Sequence, residues 1–336
     1  MTAYIQSSSQ ISNQEPLTDR WFTAPQECSG RMNCSVDASY GEFIPPMVAR
    51  RMGKILKRAA AVSLSALKEA QIAVPEAIIF GTGLGCIENS EKFLRAMVEQ
   101  GETCLQPTYF INSTHNTVAS QVATLIKCHG YNNTYAHKGV SFESALLDCL
   151  MQFETGRIKS ALVGGFDELP PTVFDLTDRE GYWSGGAVAG ETSVAFALSG
   201  ERNSRTKCSL KDVALCLEES AGGVEEALRR FLARSGNPAV DLVVTGRSGD
   251  ESFDGEYDSL VAGVLGKDVP EARYKHIFGE SFTAGAFGVM LAAETIAQGC
   301  LHPAFLCGGA VPQRFDRVLV INSFRSGDRS FILLER

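Results

Sequence analysis

The chain has 336 residues, of which 44% are hydrophobic and 21% charged, and its formal net charge is −8. This length can bury a large core in one or two domains, and the acidic balance argues against nucleic-acid binding, which needs a basic surface. No run of 18 apolar residues is present, so no membrane span is expected. The start of the chain lacks the basic and apolar regions of a secretory signal, so we expect a cytoplasmic protein.

The first hundred residues predict one long helix and one strand. Residues 7–40, rich in Ser, Asn and Gln, predict an irregular or mobile segment. Residues 45–72 predict a helix that begins at prolines. We interpret its basic side chains as a solvated face, namely Arg50, Arg51, Lys54, Lys57, Arg58 and Lys68. AIIFGTGLG (77–85) predicts a strand that runs into a glycine-rich turn. The glycine spacing departs from the dinucleotide fingerprint, and no P-loop is present, so no nucleotide site is expected.

The middle of the chain predicts a helix followed by two strands. The helix is VSFESALLDCLMQFETG (140–156), and the strands are SALVGGFDEL (160–169) and ETSVAFALSG (191–200). The helix has the 3.6-residue period, and the strands are rich in Val, Ile, Phe and Leu. The polar stretch 201–210 then predicts a hinge.

The second half repeats this order of elements. DLVVTGRSGD (241–250) is a second strand that enters a glycine-rich turn, TAGAFGVMLAAETIAQG (283–299) is a second helix, and strands follow at 317–324 and 330–336. Two similar halves predict a duplicated α/β unit with pseudo-twofold symmetry, divided into residues 1–200 and 201–336.

Ten cysteines are present, without any C-x-x-C pair. The two close pairs lack histidines at zinc-finger spacing, so neither a metal nor a cofactor is expected. Most of these cysteines are interpreted as small buried side chains in a reducing compartment.

Five segments, in this order, resemble the β-ketoacyl-acyl-carrier-protein synthases of the thiolase-like fold. They are FIPPMVARRM (43–52), GTGLG (81–85), ETGRIKSALVGGFDEL (154–169), GAFG (285–288) and INSFRSGDRSFILL (321–334). The resemblance spans residues 43–336. It implies a five-layer α/β/α/β/α sandwich with helices 140–154 and 285–297 buried in the middle, since both are apolar nearly all round.

The resemblance also implies that the catalytic groups are lost. Such an enzyme takes an acyl group on a cysteine thiolate at a strand–helix elbow, and two histidines assist decarboxylation. Aligned with the family, the cysteine position falls on Gly139 and the two histidine positions on Thr245 and Phe282. Cys149 lies ten residues further along the helix, about 15 Å away, and is expected to be a packing residue. The chain is therefore expected not to be catalytic alone.

A member of this family that lacks these catalytic groups is similar to a chain-length factor. The resemblance implies a heterodimer with an active β-ketoacyl synthase, whose acyl tunnel the chain would shape, with the acyl carrier protein as an indirect partner. The pathway would be polyketide or fatty-acid-like elongation, with an aryl-polyene or flexirubin type favoured over aromatic polyketides. The two subunits would meet near NNTYAHKG (132–139), and a helix over 110–126 would face the tunnel. The residues expected at the tunnel or the dimer seam are Asn112, Thr114, His115, Val118, Ala119, Tyr135 and His137.

Two other classes of function remain open from the sequence. The chain could be a free-standing acyltransferase or hydrolase that uses another nucleophile, such as Ser141, although no G-x-S-x-G elbow surrounds it. It could also be a homodimeric acyl-binding protein. We interpret His276 as a loop residue, and Asp250, Glu251 and Asp254 as solvated loop acids.

Overall fold

The protein is described here by a computed structural model that covers residues 2–101, 103, 105–217, 221–325 and 327–336. Its strands are β1 Ala3–Ile11, β2 Met32–Asn33, β3 Ala77–Gly81, β4 Tyr131–Tyr135, β5 Ser160–Asp167, β6 Ala189–Gly190, β7 Thr192–Ser199, β8 Cys208–Cys216, β9 Leu242–Thr245, β10 Glu271–Arg273, β11 Leu306–Gly308, β12 Arg317–Ser323 and β13 Arg329–Glu335. Its α-helices are α1 Arg20–Thr23, α2 Pro46–Ala49, α3 Lys54–Ala70, α4 Ile87–Gln100, α5 Pro107–Ile111, α6 Thr117–Ile126, α7 Ser141–Glu154, α8 Pro171–Arg179, α9 Ala221–Arg234, α10 Glu251–Leu260, α11 Lys275–Phe278 and α12 Gly285–Gln298. Short 3₁₀ turns cover Lys138–Val140 and Pro303–Phe305, and a π-helical turn covers Val261–Leu265.

The two halves of the chain have the same strand order. The first half runs β4-β3-β5-β7-β1 across its sheet, and the second runs β10-β9-β12-β13-β8, with β11 added at the far edge. In each half the first three strands are parallel to one another and the last two connections are antiparallel. The antiparallel pairing of β1 with β8 joins the two sheets. The internal repeat in the sequence therefore corresponds to a repeat in topology.

Helices and sheets form five layers, as the family resemblance implied. Helices α3 and α6 cover the outer face of the first sheet, and α9 and α10 cover the outer face of the second. Helices α7 and α12 lie between the sheets. Every residue of α12 from Gly285 to Ile296 is buried, because a helix between two sheets has no solvent face. The thiolase-like architecture is confirmed.

Strand β1 was not predicted, because its polar residues do not form an apolar pattern. Residues 7–40 were expected to be irregular, yet β1 is almost wholly buried between β7 and β8. Its polar side chains find partners inside the protein: Ser7 Oγ donates to the carbonyl oxygen of Ala66 at 2.6 Å, and Gln10 Nε2 donates to the carbonyl oxygen of Glu15 at 2.9 Å. Buried polar groups are tolerated when they are hydrogen-bonded in this way.

Two predicted helices are interrupted, and part of the predicted hinge is a strand. The helix over 45–72 is divided into α2 and α3, since Gly53 is extended, with ψ 172°. Arg58 on α3 is 3% exposed and pairs with Asp37 and Glu191, so the interpretation of this segment's basic side chains as a solvated face is wrong at Arg58. The helix over 110–126 is divided into α5 and α6 by residues 112–116. The predicted hinge 201–210 ends in the first residues of β8. The boundary between residues 200 and 201 remains a proposal.

The cysteines are more exposed than the sequence predicted. Of the nine described cysteines, four are buried and three exposed, so the expectation that most are buried is wrong; Cys104 lies outside the described residues. Within the described ranges, every helix is too short or too polar to span a bilayer.

Candidate functional site

The turn between β4 and α7 is an elbow whose bend is occupied by Gly139. Lys138 precedes it with a φ of +49°, in the left-handed region that non-glycine residues rarely adopt. Ser141 begins α7, and its hydroxyl donates to the carbonyl oxygen of Lys138 at 2.7 Å and accepts the backbone N–H of His137 at 2.8 Å. The side chain of Ser141 is fully buried. Both hydrogen bonds of the Ser141 hydroxyl therefore stabilise the backbone of the elbow.

Three aromatic rings fill the space in front of the elbow, and we call them the aromatic plug: Tyr182, Phe282 and Phe324. A Cβ atom added at Gly139 would lie 2.1 Å from Cγ of Phe324. The rings of Phe282 and Phe324 are 5.1 Å apart, and that of Tyr182 lies 5.9 Å from Phe282 and 6.3 Å from Phe324. The fold therefore brings two of the positions assigned from sequence, Gly139 and Phe282, to one place.

The glycine-rich turn 81–85 leaves space for the side chain of Phe282 in the aromatic plug. A Cβ atom at Gly83 would lie 2.2 Å from Cβ of Phe282. The carboxylate of Asp167, at the end of β5, accepts hydrogen bonds from the backbone N–H groups of Gly83 and Leu84 at 2.9 Å each. Burial raises the pKa of Asp167 to about 6, although these hydrogen bonds favour the charged form. Asp167 fixes the turn against which Phe282 packs.

Thr245, the third assigned position, is engaged elsewhere. It ends β9 and is fully buried. Its hydroxyl donates to Oε1 of Glu271 on the neighbouring strand β10 at 2.7 Å. Arg247 pairs with the same carboxylate. The Thr245 hydroxyl therefore makes a structural contact between β9 and β10.

A buried ion pair beside the plug was not predicted. Lys275 Nζ lies 2.6 Å from Oε2 of Glu280, and their side chains are 1% and 12% exposed. Burial raises the pKa of the Glu280 carboxyl, and Lys275 opposes that rise. Glu280 and Phe324 line a cavity of about 50 Å³. This volume can hold water molecules but not an acyl thioester. In the sequence Lys275 and Glu280 resemble ordinary solvated charges, so no sequence signal marked this pair.

The central helix α7 carries a second unpredicted acid at the same place. Glu143 is fully buried, and its Oε1 accepts a hydrogen bond from Nδ2 of Asn322 at 3.1 Å. Asn322 in turn accepts from the hydroxyl of Tyr274 at 3.1 Å. Burial raises the pKa of Glu143 to about 7. Its Oε2 has no hydrogen-bond partner among the described residues, so the carboxyl is stabilised in its neutral form.

The residues assigned to the tunnel or seam fall into three environments. Tyr135 ends the edge strand β4, and the exposed His137 follows it, with ring centroids 5.7 Å apart. Thr114 and His115 are exposed between α5 and α6. The remaining three are buried in this chain: Asn112, whose amide donates to the carbonyl oxygen of Arg51, and Val118 and Ala119, which belong to the core under α3.

Other polar residues singled out in the sequence have structural contacts. His276 lies in the short helix α11, with Nε2 2.7 Å from the carbonyl oxygen of Ala304. Asp250 is 2% exposed and accepts the backbone N–H of Ser252, so its interpretation as a solvated loop acid is wrong. Cys149 is fully buried in the central core, where burial raises the pKa of its thiol. In the described part of the chain, no three His, Cys, Asp or Glu residues are placed to hold a metal ion.

Comparison with known proteins connects this geometry to one family. The sequence matches the family model described as "Beta-ketoacyl synthase, N-terminal domain" over residues 21–239. No curated protein sequence matches it.

Solved structures share the fold over the whole chain. The ishigamide ketosynthase/chain length factor has a TM-score of 0.84 at 16% identity, covering 99% of this chain and 98% of that one. A ketosynthase in complex with its chain length factor from Xenorhabdus doucetiae has a TM-score of 0.82 at 16% identity, with coverages of 99% and 98%. A type II acyl-carrier protein in complex with its ketosynthase has a TM-score of 0.81 at 12% identity, with coverages of 99% and 99%.

Proposed function

Because the chain belongs to the β-ketoacyl synthase family, we propose that it is a non-catalytic member that pairs with an active β-ketoacyl synthase and shapes its acyl tunnel. This is the role of a chain-length factor in polyketide, aryl-polyene or fatty-acid-like elongation. The observation that carries the proposal is the closed elbow: Phe324 occupies the space that a side chain at position 139 would need. An acyl group has neither a thiolate to join nor room to lie there.

The state of Ser141 favours this proposal over a free-standing acyltransferase. A serine nucleophile needs an exposed hydroxyl and a base within hydrogen-bond reach. The hydroxyl of Ser141 is buried, and among the described residues it bonds only to the backbone of its own turn. Two of the similar structures contain a ketosynthase together with a chain length factor, which agrees with a paired rather than an independent role.

The edge strand β4 is the proposed seam. It pairs with β3 on one side, and it is the last strand of its sheet in the described residues. Its free backbone groups can extend the sheet into a partner across a twofold or pseudo-twofold axis. Tyr131 on β4 is 39% exposed and Met151 on α7 is 54% exposed, although α7 lies in the central layer. We expect this interface to bury more than roughly 2,000 Å² in total.

A cationic surface favours contact with an acidic carrier protein. Arg50, Arg51 and Lys54 are exposed and form no ion pair with the described residues, in a chain of net charge −8. Beside them, Met47 and Ile111 line a groove of about 530 Å³ and are 71% and 64% exposed. Basic side chains around an apolar groove complement an acidic, amphipathic helix. One of the similar structures contains an acyl-carrier protein.

The pairing is tested by co-expression with a cysteine-bearing β-ketoacyl synthase from the same gene neighbourhood, followed by native mass spectrometry. We expect a 1:1 heterodimer that Met151→Glu breaks, because the charge would be buried in the seam. Leu176→Glu on α8 is the matched control, since Leu176 is 55% exposed and lines a groove with residues of α4, not with β4. A chain that forms no such complex, or a Met151→Glu variant that pairs normally, would contradict the proposal.

A further inference from the structure

Arg325 contacts three segments of the chain at once. Arg325 follows Phe324 in the turn between β12 and β13. Its guanidinium pairs with Asp250, donates to the carbonyl oxygen of Gly181, and donates to the carbonyl oxygen of Ser184 at 3.0 Å. It also lies 4.7 Å from the ring centroid of Phe253 on α10. One side chain therefore joins three segments that are far apart in sequence.

The segment 180–187, which we call the cap, depends on these contacts. Its backbone turns through Gly181, Gly185 and Gly186, all with positive φ. A Cβ at Gly185 would lie 2.2 Å from Oδ1 of Asp250, so the cap rests directly on the carboxylate that Arg325 pairs with. Asp250 is 2% exposed and also accepts the N–H of Ser252 at the start of α10. Removing the arginine would leave a buried carboxylate without its cation.

The cap is connected to the elbow through the aromatic plug. Tyr182 in the cap contacts the rings of Phe282 and Phe324, and Phe324 covers Gly139. Next to Tyr182, Trp183 is 4% exposed and its indole N–H donates to Oγ1 of Thr177 at 2.8 Å. Movement of the cap would withdraw one ring of the plug and expose Trp183.

We propose that Arg325 is a strap that holds the cap closed over the elbow, so that this subunit's own pocket stays shut against acyl chains. The inference rests on the proposed function in one respect, since it explains how a silent subunit leaves its acyl substrate to the partner. The strap itself is a property of the isolated chain. A structural ion pair on a surface would not gate a pocket, whereas this pair joins the cap, α10 and the turn that carries Phe324.

The chain offers its own reporter for the test. It contains two tryptophans, Trp21 and Trp183. Trp21 lies in the central core, 2% exposed. In a Trp21→Phe background, fluorescence reports on Trp183 in the cap alone. Acrylamide quenching and hydrogen exchange of residues 181–187 then measure how often the cap opens.

We expect Arg325→Ala to raise the quenching constant of Trp183 several-fold and to speed exchange of the cap amides at least tenfold. The matched control is Arg314→Ala, which removes an exposed ion pair with Asp316 and should change neither readout. Should Arg325→Ala fail to fold, Arg325→Lys serves instead, because lysine keeps the pairing with Asp250 but cannot fork to two carbonyl oxygens. Unchanged quenching and exchange in a folded Arg325 variant would overturn the proposal, whether or not the chain pairs with a ketosynthase.

Discussion

Restoring a cysteine at position 139 tests whether the aromatic plug closes the elbow. Gly139 does not have a positive φ, so the backbone itself accepts a side chain. The obstacle is Phe324, whose Cγ would lie 2.1 Å from the new Cβ, where carbon atoms normally stay about 3.5–4.0 Å apart. Overpacking of this kind costs about 1–3 kcal/mol. We expect Gly139→Cys to lower the free energy of unfolding by about 3 kcal/mol, at the upper end of that range.

A double-mutant cycle separates this clash from general fragility. Phe324 is 7% exposed, so Phe324→Ala alone should cost about 3–5 kcal/mol through the cavity it leaves. In Gly139→Cys/Phe324→Ala the thiol enters that cavity, so the double variant should be about 2 kcal/mol more stable than the sum of the single effects.

The assay is urea unfolding followed by circular dichroism. Gly41→Cys is the control, because a Cβ at Gly41 meets nothing within 4 Å, and its effect should stay within about 0.5 kcal/mol. Strict additivity of the two substitutions would refute the idea that Phe324 fills the nucleophile's place.

Three further predictions follow from the buried acids and the seam. Because burial raises the pKa of Glu143 from 4.5 to about 7, the folded state favours the neutral acid, so its contribution to stability should be lost as pH rises from 4.5 through 7, by about 3 kcal/mol in all. Glu143→Gln should flatten this part of the urea-unfolding profile, and equal slopes for both proteins would exclude the effect. Lys275→Met should cost about 3–5 kcal/mol by stranding Glu280, and Lys275→Met/Glu280→Leu should recover most of it; thermal unfolding that shows no recovery would mean the pair is not coupled. Thr114→Phe or His115→Phe should shorten the product of the reconstituted pair while the partner is still acylated. Val118→Phe should instead lower the melting temperature, because Val118 is in this chain's core. If neither exposed position changes the product length, the chain has a scaffold role only.

Apolar pattern and glycine placement predicted a duplicated α/β unit, and the resemblance to the β-ketoacyl synthases implied the five-layer arrangement. Strand β5 and helix α12 are buried on all sides, so their sequences are almost continuously apolar, and their repeat along the chain predicted the duplication. Strand β1 escaped this reasoning because its residues are mostly polar, and Gln6 and Ser7 bond to backbone groups that are distant in sequence. The breaks in helices 45–72 and 110–126 were missed because Gly53 and residues 112–116 interrupt segments that otherwise have helical composition.

Sequence pointed to a residue of the candidate site only where a single segment carried the information. Gly139 was assigned by counting along α7, and Phe282 was assigned separately from its place before GAFG. The structure places both residues against the ring of Phe324. Phe324 lies in a segment that the sequence assigned to the closing hairpin, but its contact with residue 139 spans 185 positions and has no local signal. The same holds for Lys275 and Glu280, since only the assembled fold excludes water from both charges.

Intact-mass analysis of the reconstituted pair tests the silent-subunit account most directly. The chain and its active ketosynthase partner would be incubated with an acyl-loaded carrier protein, and both subunits weighed. The account predicts one acyl group on the partner and no mass change on this chain. A stoichiometric mass increase on this chain, mapped by peptide analysis to residues 135–145, would contradict it.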